Sequence, residues 1–208
     1  MELKLIRKDD FADKSLCLRC VSEGGSCCTG EGSGIFVTLH DVLRIQKLLH
    51  VPLDEIAEFK KISREHANNI QRDDPFFYQF FRKDKILQLK RKGGYCQYLK
   101  EGVGCIVFNY RPAICKMFPF SFDFTKNGKL RLLVPKSKSR KDEDCTIIKE
   151  NFYRSKGATL KAMNSSITKM TALIKQHISE LEEYGKYVGD IISGMSLDDV
   201  VKKYRIKL

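Results

Sequence analysis

Cys17-Leu-Arg-Cys20-Val-Ser-Glu-Gly-Gly-Ser-Cys27-Cys28 places four thiols within twelve residues. A hydrophobic core does not call for that density, because a buried cysteine packs as one small apolar residue among many. Four more follow at Cys96, Cys105, Cys115 and Cys145, and these eight are all the cysteines of the chain. Two sets of four soft sulfur donors point to a metal centre. The fold expected around it is α+β: a small cysteine-rich metal-binding core with short strands and a β-hairpin, covered by helices.

Within the first group, Cys17-x2-Cys20 lets two sulfurs face one ion across a tight turn, as in structural zinc and iron–sulfur sites alike. That pair is a weak signal alone and a strong one beside six further thiols. Gly24, Gly25, Gly30, Gly32 and Gly34 make residues 22 to 34 a loop that can bend tightly and turn amide N–H groups toward sulfur. The adjacent Cys27 and Cys28 project differently, so the simplest geometry sends their sulfurs to different ions or leaves one outside the coordination shell. Two neighbouring sites fed by both groups are therefore preferred over one site per group. Thiolates exclude Mg²⁺ and Ca²⁺ and leave zinc or an iron–sulfur cluster, which spacing does not separate.

Nothing in the 208 residues is long or apolar enough to span a bilayer. The N-terminus Met-Glu-Leu-Lys-Leu-Ile-Arg-Lys lacks the apolar stretch of a secretory signal. A cytoplasmic setting is expected, where thiols stay reduced and eight cysteines favour metal over disulfides. The formal charge of +12 would fall to about +8 with eight thiolates on two divalent ions. That excess draws anionic partners, but apart from the run Lys136 to Lys141 the basic residues are spread along the chain. A solvated basic surface accounts for them.

Two domains are expected: a cysteine-cluster metal-binding domain over 1–150 and a helical C-terminal extension over 151–208, packed on it. Leu3 to Ile6 suits an edge strand and Ile35-Phe36-Val37 a short buried one. Thr38-Leu-His-Asp41 has the capping-box pattern, opening a helix to Leu49 with Val42, Ile45, Leu48 and Leu49 on one face. Pro52-Leu53-Asp54-Glu55 starts another helix that buries Ile56, Phe59 and Ile62, and residues 63 to 74 continue it or connect loosely. Phe76-Phe77-Tyr78-Gln79-Phe80-Phe81 covers the core, and Lys85 to Arg91 alternates as a strand before a Gly93-Gly94 turn. Phe120 to Val134 forms a hairpin about Asn127-Gly128, the signal of a type I′ turn. From Thr146 the pattern is helical, with Leu160, Met163, Ile167, Met170, Leu173, Ile174, His177, Ile178 and Leu181 at three- and four-residue steps. Ser196 and Asp199 cap a last short helix.

The remaining polar residues are discounted. Among the histidines His40 alone lies near the cysteines, and a helix-surface role suits it better than ligation. His50, His66 and His177 carry no signal. Aromatic residues around the second group (Phe108, Tyr110, Phe118, Phe120, Phe122) would keep water from a metal, but each is adequately explained as core. Arg111 either neutralises thiolate charge and donates to sulfur, or is an ordinary arginine before the turn residue Pro112.

Taken in order, Cys17-x2-Cys20, Cys27-Cys28, Gly-Ile-Phe-Val-Thr-Leu, Asp41, Arg44-Ile45, Cys96-x-Tyr98-Leu99, Cys105, Tyr110-Arg111-Pro112, Cys115 and Phe118-Pro119-Phe120 resemble the YkgJ-type cysteine-cluster proteins. The resemblance covers about residues 15 to 150. It departs in the first group, where six residues instead of fewer precede the double cysteine. It implies chelation of zinc or iron by Cys17, Cys20, Cys27, Cys28, Cys96, Cys105, Cys115 and Cys145. Through a distant relationship to flagellin lysine-N-methylases, which carry a similar cluster, it also suggests a role in modifying another protein. The sequence itself contains no glycine-rich strand-to-helix turn of a nucleotide fold.

Three functions compete. The first is a metal or iron–sulfur protein of this family acting on a protein partner, with Arg111 and Tyr110 lining a cleft by the cysteines. The second is a non-enzymatic zinc-stabilised module binding an acidic protein or nucleic acid. It would need basic and aromatic residues interleaved on one face, and nucleic acid is not favoured. The third, a thiol redox protein, leaves six cysteines unexplained. The sequence does not decide whether the chain is an enzyme or what its oligomeric state is.

Overall fold

The computed structural model describes residues 34–73, 75–81, 85–100, 104–133 and 155–208. The expected edge strand at Leu3 to Ile6, the first cysteine group, the Lys136 to Lys141 run, Cys145 and the helical start at Thr146 lie outside these residues. The capping box forms as its residues dictate. Thr38 Oγ1 accepts the Asp41 N–H at 3.2 Å, and Asp41 Oδ2 accepts the Thr38 N–H at 3.2 Å. Two orphan donors of helix α1 (Leu39–Leu49) are thereby satisfied, and His50 ends it in the left-handed region at φ 55. Val42 and Ile45 on its inner face are fully buried, each worth about 1.5–3 kcal/mol. Just before it, residues 35–37 lie against residues 87–89: the Val37 N–H donates to Leu87 O at 3.0 Å and the Leu89 N–H to Ile35 O at 2.9 Å. The chain reaches this contact through Gly34 at φ +93, where a Cβ would stand 1.7 Å from Gln88 Oε1.

The segment after Pro52 departs from the helical reading. A single turn, α2 (Leu53–Ile56), gives way to strand β1 (Ala57–Lys61), antiparallel to β2 (Lys85–Leu89) with Ala57 opposite Leu89 and Phe59 opposite Leu87. Spacing of Ile56, Phe59 and Ile62 fits a helix, but β2 decides otherwise. Ile86, Leu87, Gln88 and Leu89 are all buried, so their backbone groups need partners on both edges. Residues 35–37 supply one edge and β1 the other. Such overruling of local pattern by pairing is the usual fate of short amphipathic stretches. Helix α3 (Arg64–Asp73) follows, its His66 N–H capped by Ser63 Oγ at 3.2 Å. The aromatic run opens with a turn, α4 (Pro75–Tyr78), and covers the core as expected: Phe77 meets Phe36 edge-on at 4.4 Å, and Phe80 and Phe81 are buried.

Two small hairpins come next. Strands β3 (Arg91–Lys92) and β4 (Tyr95–Cys96) turn through Gly93 and Gly94, and β5 (Leu99–Lys100) pairs with β6 (Gly104–Cys105). A 3₁₀ turn at Phe108–Tyr110 leads to helix α5 (Ala113–Met117). The hairpin of β7 (Ser121–Phe124) and β8 (Leu130–Leu133) forms as expected, but its turn is not type I′. Gly128 has φ +70 while Asn127 is not among the positive-φ residues, and the Gly128 N–H donates to Thr125 O. That is a type I turn followed by a left-handed glycine bulge, because one glycine supplies one left-handed residue and type I′ needs two.

The C-terminal helices are α6 (Lys156–Ala162), α7 (Ile167–Ile192) and α8 (Leu197–Tyr204). The continuous stripe read from Leu160 to Leu181 is interrupted where Asn164 turns left-handed at φ 51 and Ser166 caps α7. Ser196 Oγ accepts the Asp199 N–H, the cap expected for α8. Helix α7 joins two apolar clusters. Met170 and Ile174 pack with Met117, Phe120 and Leu160, while Leu181, Tyr184, Tyr187 and Val188 enter the larger core of α1, β1 and β2. The described strands form four two-stranded antiparallel sheets, so the architecture is α+β. No helix among the described residues is long and apolar enough to cross a membrane.

Candidate functional site

Of the eight cysteines, Cys96, Cys105 and Cys115 are described; Cys17, Cys20, Cys27, Cys28 and Cys145 fall outside the described residues. Cys96 ends β4 and is buried, 6 % exposed, within the larger core. Cys105 ends β6 opposite Leu99 and packs partly buried on the same core. The Ile106 N–H donates to Tyr98 O at 2.9 Å, which fastens the strand ends bearing the two cysteines. Tyr98 is buried, and its hydroxyl accepts from Gln97 Nε2 at 3.0 Å; burial raises its pKa, as does the neighbouring Cys96. Cys115 stands apart in sequence, in the middle of α5, which packs against α7.

What holds α5 is a charged network that the sequence did not reveal. The Ala113 N–H, at the first position of α5, donates to Asp41 Oδ1 at 3.0 Å. Asp41 is fully buried, and the same oxygen accepts Arg44 Nη2 at 2.6 Å. Arg44 reaches onward to α7, where Nη1 donates to Glu180 Oε1 at 2.7 Å and Nη2 to Glu180 Oε2 at 2.8 Å, a two-pronged pair. Gln176 Nε2 adds a bond to Glu180 Oε1 at 2.8 Å, and Thr38 Oγ1 lies 3.2 Å from Oε2. Tyr187 Oη accepts the Leu39 N–H at 3.3 Å, a second tie between α7 and the start of α1. Three helices thus meet on two carboxylates and one guanidinium.

The electrostatics follow from burial. Burial alone would raise Glu180, but the hydrogen bond and charge of Arg44 outweigh it and hold the carboxyl below its ordinary range. Burial likewise opposes the charge on Arg44, and Glu180 and Asp41 override it, so the guanidinium stays charged. His177, one turn before Leu181 and 2 % exposed, goes the other way: burial pushes its pKa down, against the pull of Asp41 and Glu180. Its Nδ1 is buried with no hydrogen-bond partner among the described residues. Lys116, beside Cys115, is lowered by burial and by the charges of Arg44 and Arg111, while Asp41 and Glu180 resist.

Asp41, His177 and Glu180 each bring one ligand-type atom within 4.8 Å of the others, a donor set that would suit a divalent ion. Arg44 answers that reading. Each Asp41 and Glu180 oxygen already accepts at least one N–H hydrogen bond, and the guanidinium supplies the positive charge between the two carboxylates. The arrangement is a hydrogen-bonded brace. Its members were visible only in part. The sequence pattern of Thr38 and Asp41 gives a helix cap, which they also form. His177 and Glu180 lie at three- and four-residue steps among Ile174, Leu181 and Tyr184, and two polar residues set into an apolar stripe are the signal that would have exposed them.

Arg111 turns back on its own segment. Its Nε donates to Phe108 O at 2.9 Å, and its guanidinium carbon stacks 3.8 Å from the Phe108 ring. Tyr110, expected beside it in a cleft, is 38 % exposed. His40 is half-buried on α1 with Nε2 3.3 Å from Glu183 Oε2, a contact within the helical layer. His50 closes α1 as its left-handed cap residue.

Comparison with known proteins bears on the cysteines. An uncharacterized protein of Methanocaldococcus jannaschii, MJ0661, is 31 % identical over 117 residues, a match covering 56 % of this chain and 50 % of that protein. The chain therefore spans about half the length of this curated relative. No solved structure matches it. A family model named for the CxxCxxCC pattern, described as "Putative zinc- or iron-chelating domain", matches residues 16–177. This span takes in all eight cysteines as well as Asp41, Arg44 and His177, and the chain belongs to that family of zinc- or iron-chelating cysteine domains.

Proposed function

We propose that the chain binds metal through thiolates drawn from Cys17, Cys20, Cys27, Cys28, Cys96, Cys105, Cys115 and Cys145, and that the metal is zinc or an iron–sulfur cluster. The observation that carries this reading is the family match over residues 16–177, a span that takes in all eight cysteines. Cys96 and Cys105 end the second strands of two consecutive short hairpins on one core, and Cys115 follows in a helix braced from two sides. Short strands with glycine turns have little core of their own and gain most from a metal that crosslinks them. The donor chemistry fits, since soft thiolates are the ligands that zinc and iron–sulfur clusters share. Zinc bound there would fix the fold, and an iron–sulfur cluster would add electron transfer. Burial protects one of the sulfurs: Cys96 is buried in the same core cluster as Tyr98 and Val107, a setting that keeps water away.

Anaerobic purification followed by metal and sulfide analysis and a visible spectrum on one sample tests the reading. Stoichiometric zinc without colour, or iron with labile sulfide and visible absorption, is the expected result. Replacement of Cys96 or Cys115 by Ser should lower the metal content. Protein that folds without stoichiometric metal would overturn the assignment.

A further inference from the structure

We propose that Asp41 is a positioning residue for Cys115, acting through the Ala113 amide and through Arg44 and Glu180. The inference rests on the thiolate centre proposed above and names a residue outside the cysteines that tunes it. Asp41 does three things with two oxygens. Oδ2 closes the capping box with the Thr38 N–H, while Oδ1 accepts both Arg44 Nη2 and the Ala113 N–H. A capping box alone needs only the first of these. The bond to Ala113 reaches across 72 residues of sequence to the first turn of the five-residue helix that holds Cys115 two positions on.

The entry of helix α5 is buried at Pro112 and Ala113, and the 3₁₀ turn before it packs on α1. Pro112 at its N-cap makes no side-chain capping bond, so the Asp41 carboxylate takes the place a local cap would fill. Arg44 then locks the carboxylate to Glu180 on α7, against which α5 also packs. The position of the Cys115 backbone is thus set jointly by α1 and α7. A ligand backbone held this way presents its sulfur to a metal with little reorganisation, and loss of such a support costs about 10–100-fold in metal affinity in comparable metal sites.

The test uses the full chain with its metal as isolated. Asp41→Ala removes both supports, and Asp41→Asn, milder, keeps the volume and one acceptor oxygen while losing the charge. Val42→Ala, one residue on and facing the core, serves as a control that destabilises α1 while leaving the Asp41 carboxylate in place. Metal retention against a competing chelator is measured beside melting temperature, with the visible spectrum of the cobalt-substituted protein, or of the native chromophore if the metal is iron. Expected is a loss of retention of about 10–100-fold and a shifted spectrum for the Asp41 variants, with Val42→Ala retaining wild-type affinity at comparable melting temperature. If Asp41→Ala does not fold, Asp41→Asn carries the comparison. Wild-type retention and spectrum in the folded Asp41 variants, or equal losses in Val42→Ala, would overturn the proposal while leaving the thiolate centre standing. Absence of metal from the wild type would remove both.

Discussion

Replacing Arg44 by Met keeps the length and apolar stem of the side chain and removes the guanidinium. Glu180 and Asp41, with side chains 8 % and 1 % exposed, then face each other without the cation between them. Breaking a buried pair by removing one partner costs about 3–5 kcal/mol, and because Arg44 is itself 19 % exposed the lower end applies, about 3 kcal/mol at pH 7. Urea unfolding at constant metal loading measures it. Adding Glu180→Leu to Arg44→Met should restore part of the loss, because the second substitution removes the stranded charge. The coupling should exceed about 1 kcal/mol, above the few tenths that independent sites show.

The pH dependence sharpens the test. In the wild type Glu180 lies below its ordinary value of 4.5, so its stabilisation is complete above that pH and is lost as pH falls through the folded value. Without Arg44, burial dominates and lifts the folded value above 4.5. The cost of Arg44→Met should then be greatest near pH 7 and shrink toward pH 4.5, by up to about 1.4 kcal/mol per pH unit, as Glu180 takes up a proton. Additive single and double variants, or a cost independent of pH, would refute the brace as described.

Buried His177, whose Nδ1 has no hydrogen-bond partner among the described residues, makes a complementary prediction. Its pKa is depressed below 6.5, so the folded state resists its protonation and the wild type should lose stability as pH falls below 6.5, down to the folded value. His177→Leu should flatten that slope although Asp41, Glu180 and Arg44 still surround the site; parallel urea midpoints for both proteins between pH 7.5 and 5.5 would contradict it. Gly34→Ala should destabilise by more than about 1 kcal/mol, from its positive φ and the collision with Gln88 Oε1, and an unchanged melting temperature would dismiss that contact. A strong chelator should lower the melting temperature of the wild type, and no shift would count against a structural role for the metal.

Elements governed by neighbouring residues were legible in the chain. The cap at Thr38 and Asp41, the β2 strand, the Gly93-Gly94 turn, the β7–β8 pairing and the Ser196 cap depend on local hydrogen bonds or on alternation, and each formed. Family membership was legible too, because it rests on the order and spacing of residues. The strand β1 was not, since its identity depends on the unpaired edge of β2 some thirty residues later. The type I turn at Asn127 escaped as well, because two turn types accept the same Asn-Gly pair.

What tertiary structure alone decided is the meaning of the polar residues. The second role of Asp41 appears only when Ala113 is brought to it across 72 residues, and Glu180 becomes buried only when α7 closes over α1. Long-range hydrogen bonds of this kind leave no periodicity in sequence. A carboxylate on a helix looks the same whether it faces water or an arginine 136 residues away, and only packing removes the water that makes the two alike.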